Sequence, residues 1–207
     1  MCKVYFTIVF MNRTITALLF AVTCSVNAQQ IITKTYTIES HTNLEGADLS
    51  GEDLSNLNLS FCNLVRANLS GSILHGANLE GAMMEGANLE GANLEGANLS
   101  NAQLIDASFI GANLSGVKFL NSSLSYANLI QVNLTNADLS GTDLRSADLF
   151  DSNLLSANLE GASLTNTNLF DAKLTCLKGC PLDLPDDYIC KPDADCEEEG
   201  RFRIVEE

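Results

Sequence analysis

The chain has 207 residues, enough for one or two ordinary domains, and carries 11 Lys and Arg against 26 Asp and Glu, a net charge of −15. So acidic a chain is unsuited to binding nucleic acid through its phosphates, which takes a basic surface that releases counterions. Apolar residues make up 46% and prolines number three, which argues against compositional disorder; two histidines, His41 and His75, leave little for acid–base or metal chemistry.

Residues 1–28 read as an export signal. Met11 is a plausible start codon, Asn12-Arg13 a short positive start, Ile15 to Thr23 an apolar run, and Val26-Asn27-Ala28 a small-residue cleavage site. The alternative is a retained anchor, but Arg13 splits the apolar stretch into halves shorter than the ~20 residues a spanning helix needs. Cys24 follows Ala21-Val22-Thr23, a poor match to a lipidation signal. Cleavage after Ala28 leaves 9 basic and 26 acidic residues, a net charge of −17. Residues 29–41 then form an expected capping strand, in which Ile31 to Ile38 alternates and Ile32, Tyr36 and Ile38 are available to close the first coil of the segment after it.

From residue 42 to residue 176 the sequence repeats every five residues. A large apolar residue recurs from Leu44 to Leu174 in 27 consecutive repeats, Leu in all but Met84, Phe109 and Phe119. Two positions earlier the residue is Ala in 16 repeats and otherwise usually Ser, Thr, Cys or Val; Glu52 and Leu57 depart from this. One position earlier it is Asn or Asp in 19 repeats, and all 12 glycines of the region fall two positions after the centre. A period of five fits neither a helix nor a plain strand. It fits a three-residue strand-like piece, small–polar–Leu, whose outer two side chains face one way and whose middle one faces the other. The remaining two residues turn the chain, and Gly suits them because it accepts positive φ. Asn and Asp can bond nearby backbone. Small residues beside each Leu imply a narrow interior, as in a coil closing on itself.

The A-(D/N)-L-x-x pattern, clearest in ANLEGANLEGANLS from Ala87, resembles that of the pentapeptide-repeat proteins over residues 42–176. The resemblance implies an all-β fold, a right-handed quadrilateral parallel β-helix with four repeats per coil. About seven coils follow, roughly 32 Å long at the usual strand spacing.

Residues 177–207 form a cysteine-rich acidic tail with 10 acids and all three prolines. Cys176, Cys180, Cys190 and Cys196 cluster there, while Cys62 occupies a small inward slot of its repeat. The segment CPLDLPDDYIC resembles a Cys-Pro-x-x-Leu-Pro module found beside repeat blocks in some bacterial members of the family. A Cys180–Cys190 bridge is expected with it, and Cys176–Cys196 as its companion, one of three possible pairings. A four-cysteine zinc site is the rival, with loose spacing for that metal. Asp193, Asp195, Glu197 and Glu199 only vaguely match a calcium loop, because Glu198 stands where the loop needs Gly.

Stacking residues 20 apart gives one outward column of Ser50, Ser70, Glu90, Ile110, Ile130, Phe150 and Phe170. Its last four members make an apolar stripe about 14 Å long, a candidate dimer or partner surface unless Leu182, Leu184, Tyr188 or Phe202 of the tail covers it. Glu80, Glu85, Glu90 and Glu95 ring one coil rather than converge, and Asn93, Asn113, Asn133 and Asn153 form a ladder. No catalytic, cofactor-binding or metal-binding residues are expected. The leading expectation is a non-enzymatic exported structural or interaction module, a rigid acidic rod binding an unknown protein or a second copy, with no transmembrane span in the mature chain and no direct nucleic-acid binding. The alternative implied by the resemblance is DNA mimicry directed at DNA gyrase, for which an acidic rod has the right electrostatic shape. The unbroken phase lacks the loops of better-known gyrase protectors, and export would separate the protein from gyrase.

Overall fold

Every N–H group of a regular pentapeptide has its own fixed partner, and these partners dictate the coil. In the computed structural model, which describes residues 5–11, 14–20, 35–37, 40–196 and 200–206 and side chains from residue 40 onward, the first repeat shows the scheme. Leu44 and Gly46 donate forward to the carbonyls of Asn63 and Val65 at 2.7 and 2.9 Å, while Asn63 donates back to Thr42 at 3.0 Å. Ala47 donates to the Leu44 carbonyl at 3.0 Å and closes the corner. The remaining N–H, that of Glu45, goes to the side-chain Oδ1 of Asn43 at 3.2 Å. The sequence preference for Asn or Asp before the centre is thus a backbone requirement, since its side chain satisfies the one donor that the ladder and the turn leave over.

Parallel bridges join residues 20 apart, from Asn43↔Asn63 to Ser163↔Asp183, so one coil takes four pentapeptides. At each of the 27 corners the residue two after the centre has a positive φ, between 51° and 71°. A positive φ at the third residue of a four-residue turn is the type II signature. Fifteen of those corners carry a side chain rather than Gly, so tertiary hydrogen bonding imposes the left-handed conformation even where the residue disfavours it.

The central residues and the small residues two before them fill the interior. Phe109 and Phe119, ten residues apart and so on opposite walls of one coil, meet edge to face at 6.1 Å, a favoured aromatic geometry. Inward hydroxyls of Ser72 and Thr167 donate to the carbonyls of Leu69 and Leu144 at 2.7 and 2.8 Å, whereas the equally buried hydroxyl of Ser152 has no partner. Both irregular inward residues, Glu52 and Leu57, lie in the first coil, where they are half-buried. Burial and the nearby Asp48 raise the Glu52 carboxyl above its ordinary value.

Strands β1 (Tyr5–Met11), β2 (Thr14–Phe20) and β3 (Thr35–Thr37) form an antiparallel sheet in that order. Of the segment expected to cap the first coil, only β3 is described, and its Tyr36 pairs with Ala17 of β2; Ile32 and Ile38 lie outside the described residues, as does the segment around Ala28. At the other end the ladder runs past Cys176 into the tail. Lys178 and Leu182 donate to Ala157 and Ala162 at 2.9 and 2.7 Å, and Asp183 takes the Asn position by accepting the N–H groups of Leu164 and Thr165 at 2.7 and 3.0 Å. Strands β4 (Tyr188–Pro192) and β5 (Phe202–Glu206) then pair as an antiparallel hairpin. Ile204 is buried, its N–H donates to Leu174 at 3.0 Å, and Phe202 bridges Leu177, so β5 seals the last coil.

Candidate functional site

Four-sided winding turns every fourth corner into a column, and the columns are where this molecule presents its chemistry. Ile110, Ile130, Phe150 and Phe170 occupy the first position of one such corner. The first three are half-buried and Phe170 is 56% exposed. The rings of Phe150 and Phe170 lie stacked, with centroids 6.0 Å apart and planes within 7°. The tail leaves Phe170 open: Phe202, Leu184 and Tyr188 pack against the core instead, and Leu182 is 77% exposed. Because β5 is held to Leu174 and Leu177, those apolar side chains are used to close the end of the rod.

The first three members of the Asn column form a side-chain ladder. Asn113 donates to Asn93 at 3.1 Å and Asn133 donates to Asn113 at 3.2 Å, while Asn153 turns to the Thr135 hydroxyl at 3.0 Å. Each Oδ1 also accepts a backbone N–H two residues on, as Ser115 donates to Asn113 at 3.2 Å. Such residues are occupied by the fold and have little left to offer a ligand.

Among the tail cysteines, the structure joins Cys176 to Cys196 and Cys180 to Cys190. Cys62 is buried outside both bridges, and its desolvated thiol is pushed above the usual range. The sulfurs of Cys176 and Cys196 and a carboxylate oxygen of Asp193 lie within 4.8 Å of one another, but sulfur in a disulfide supplies no thiolate for zinc. Asp193 is buried and braces the tail. Its carboxylate accepts the N–H groups of Cys176 and Asp195 at 3.1 and 3.2 Å and faces Arg203. Glu197 and Glu199 lie outside the described residues.

A polar cluster on the preceding corner leaves no signal along the chain. Arg145 holds Asp143 in a two-pronged pair, Nε and Nη2 at 2.8 and 2.7 Å from its oxygens. Those bonds, with a further one from Ser125, bring the Asp143 carboxyl down to about 2. Stacking the corner residues at intervals of 20 finds this group; reading residue by residue does not, because its members are far apart in sequence.

The Pentapeptide repeats family model matches the chain in overlapping segments that together span residues 40–175. The chain belongs to the pentapeptide repeat family. No curated protein sequence matches it. Among solved structures, a pentapeptide repeat protein from the Arabidopsis thaliana thylakoid lumen is 32% identical over 56% of this chain and 70% of its own, with a TM-score of 0.30. HetL, a pentapeptide repeat protein involved in heterocyst differentiation regulation in the cyanobacterium Nostoc, is 27% identical over 68% and 90%, with a TM-score of 0.25. QnrB1, a plasmid-mediated fluoroquinolone resistance protein, is 20% identical over 64% and 76%, with a TM-score of 0.32. Among the described residues of this pentapeptide repeat chain, no helix is long and apolar enough to cross a membrane.

Proposed function

We propose that the mature protein is an exported, non-enzymatic interaction module: an acidic right-handed β-helical rod of about seven coils that docks a partner protein along the Ile110–Phe170 corner. The observation that carries this reading is the stacked Phe150–Phe170 pair, aligned with Ile110 and Ile130 and open to solvent at Phe170. Contiguous exposed apolar surface of this kind usually has a use. Asp148, Asp151 and Asp171 border the stripe, and the chain as a whole carries −15, so charge complementarity favours a basic partner over a second acidic copy. Two disulfides and the apolar leader support export, since disulfides persist in oxidising compartments. Removal of residues 1–28 takes β1 and β2 with it and leaves β3 in the mature chain.

The test is the Ile130→Asp, Phe150→Asp double variant, used as bait against an envelope extract beside the parent protein. Loss of a basic partner from a variant that still unfolds cooperatively supports the stripe; retention of every partner contradicts it. DNA mimicry is the second reading, favoured by the charge of the rod. Protection of purified gyrase supercoiling against a quinolone would support it, and no effect would remove it.

A further inference from the structure

The corner preceding the aromatic stripe carries groups that neither the repeat nor the stripe uses. Ser125, Arg145 and Thr165 stack at its first position and Tyr126, Ser146 and Asn166 at its second, and together they line an open groove of about 330 Å³. Tyr126 is 65% exposed, yet it sits in a left-handed corner at φ 61°. Glycine is the relaxed choice there and a side chain carries a steric penalty. Fourteen other corners also carry a side chain at positive φ, so what sets Tyr126 apart is its flat, exposed ring beside a polar groove, an arrangement suited to recognition.

Arg145 is held in place by its two bonds to Asp143, and its side chain is 61% exposed. A guanidinium has five N–H donors, so others remain for a ligand. The Ser146 and Thr165 hydroxyls both donate and accept, and the Asn166 amide does the same. The Asp143–Arg145 pair is neutral as a unit. A phosphate or carboxylate would have to compete with Asp143 for the guanidinium in a chain of net charge −15, and a purely apolar ligand would strand the hydroxyls. A pyranose matches on both counts, with an apolar ring face and a rim of hydroxyls. We propose that this groove binds a neutral saccharide, the Tyr126 ring lying against one sugar face while Arg145, Ser146, Thr165 and Asn166 bond its hydroxyls.

This site stands apart from the stripe and does not depend on it. The full chain is titrated with maltose, cellobiose and N,N′-diacetylchitobiose, with glucuronate and inorganic phosphate as charged controls, by saturation-transfer NMR. At least one neutral disaccharide should bind, and Tyr126→Gly should weaken it by roughly tenfold, the scale of one lost ring contact. The same variant should keep or raise Tm, because Gly relaxes the corner, which separates lost binding from lost folding. Absence of binding by every neutral sugar, unchanged binding in Tyr126→Gly, or tighter binding of phosphate or glucuronate than of any neutral sugar would each overturn the proposal.

Discussion

Asn113 shows how much one side chain does in this fold. It donates to Asn93 and accepts from both Asn133 and the Ser115 N–H. Replacement by Ala removes all three bonds and strands a half-buried N–H, so Asn113→Ala should cost about 1–3 kcal/mol, read by chemical denaturation. Glu52 works the other way. It stands in the inward slot that 16 other repeats give to Ala, and its raised carboxyl pKa means that the folded state disfavours the ionised form. A raised acid pKa makes the fold bind its proton more tightly than the unfolded chain does, so the penalty is present at neutral pH and fades as pH falls toward 4.5. Glu52→Gln should therefore unfold at higher temperature than the parent at pH 7, with the gap closing near pH 4.5. A gap that grew on acidification would show that Glu52 serves another role. An inward charge in the first coil is also a known defence against edge-to-edge association, which gives a physical reason for its placement there.

At the scale of the coil, the repeat announces its own geometry because a five-residue period leaves few ways to satisfy five N–H groups. The positions of Gly and of Asn or Asp correctly mark the corner and its extra acceptor. Harder to read are corners such as Phe61, Tyr126 and Gln131, which adopt positive φ without Gly; only the bonds between coils explain them. The tail is less legible still. Asp183 keeps the five-residue phase, 20 residues after Ser163, and accepts the Thr165 N–H that Ser163 has no amide oxygen to accept, but nothing periodic tells that Phe202 and Ile204 seal the core rather than cover Phe170. These contacts come from chain closure over long separations. The Cys176–Cys196 bridge spans 20 residues and ties the last corner to the hairpin, so opening it with Cys176→Ser plus Cys196→Ser should destabilise the cap by about 2–4 kcal/mol. Hydrogen exchange should report this first at Leu174, Leu177 and Ile204, with the amides of the central coils protected as before; uniform loss of protection along the rod would mean that the cap does not unfold separately.

For the whole molecule, membership of the family and the solenoid follow from the repeat, whereas function follows from the chemistry that the corners carry. The apolar stripe can be read from residues 20 apart, since it is made of one residue type. The Tyr126–Arg145 groove takes one step more, because its chemistry is mixed and shows only when two neighbouring columns of residues 20 apart are set side by side. Both surfaces matter only if the protein reaches the oxidising compartment proposed for it from its apolar N-terminal segment and its disulfides. The measurement that bears most directly on this is the intact mass of the protein recovered after cell fractionation, before and after reduction. A periplasmic or secreted chain beginning at Gln29 and gaining four hydrogens, two for each disulfide, is the expected result. An unprocessed cytoplasmic chain whose mass reduction leaves unchanged would contradict export and the disulfide-locked cap together.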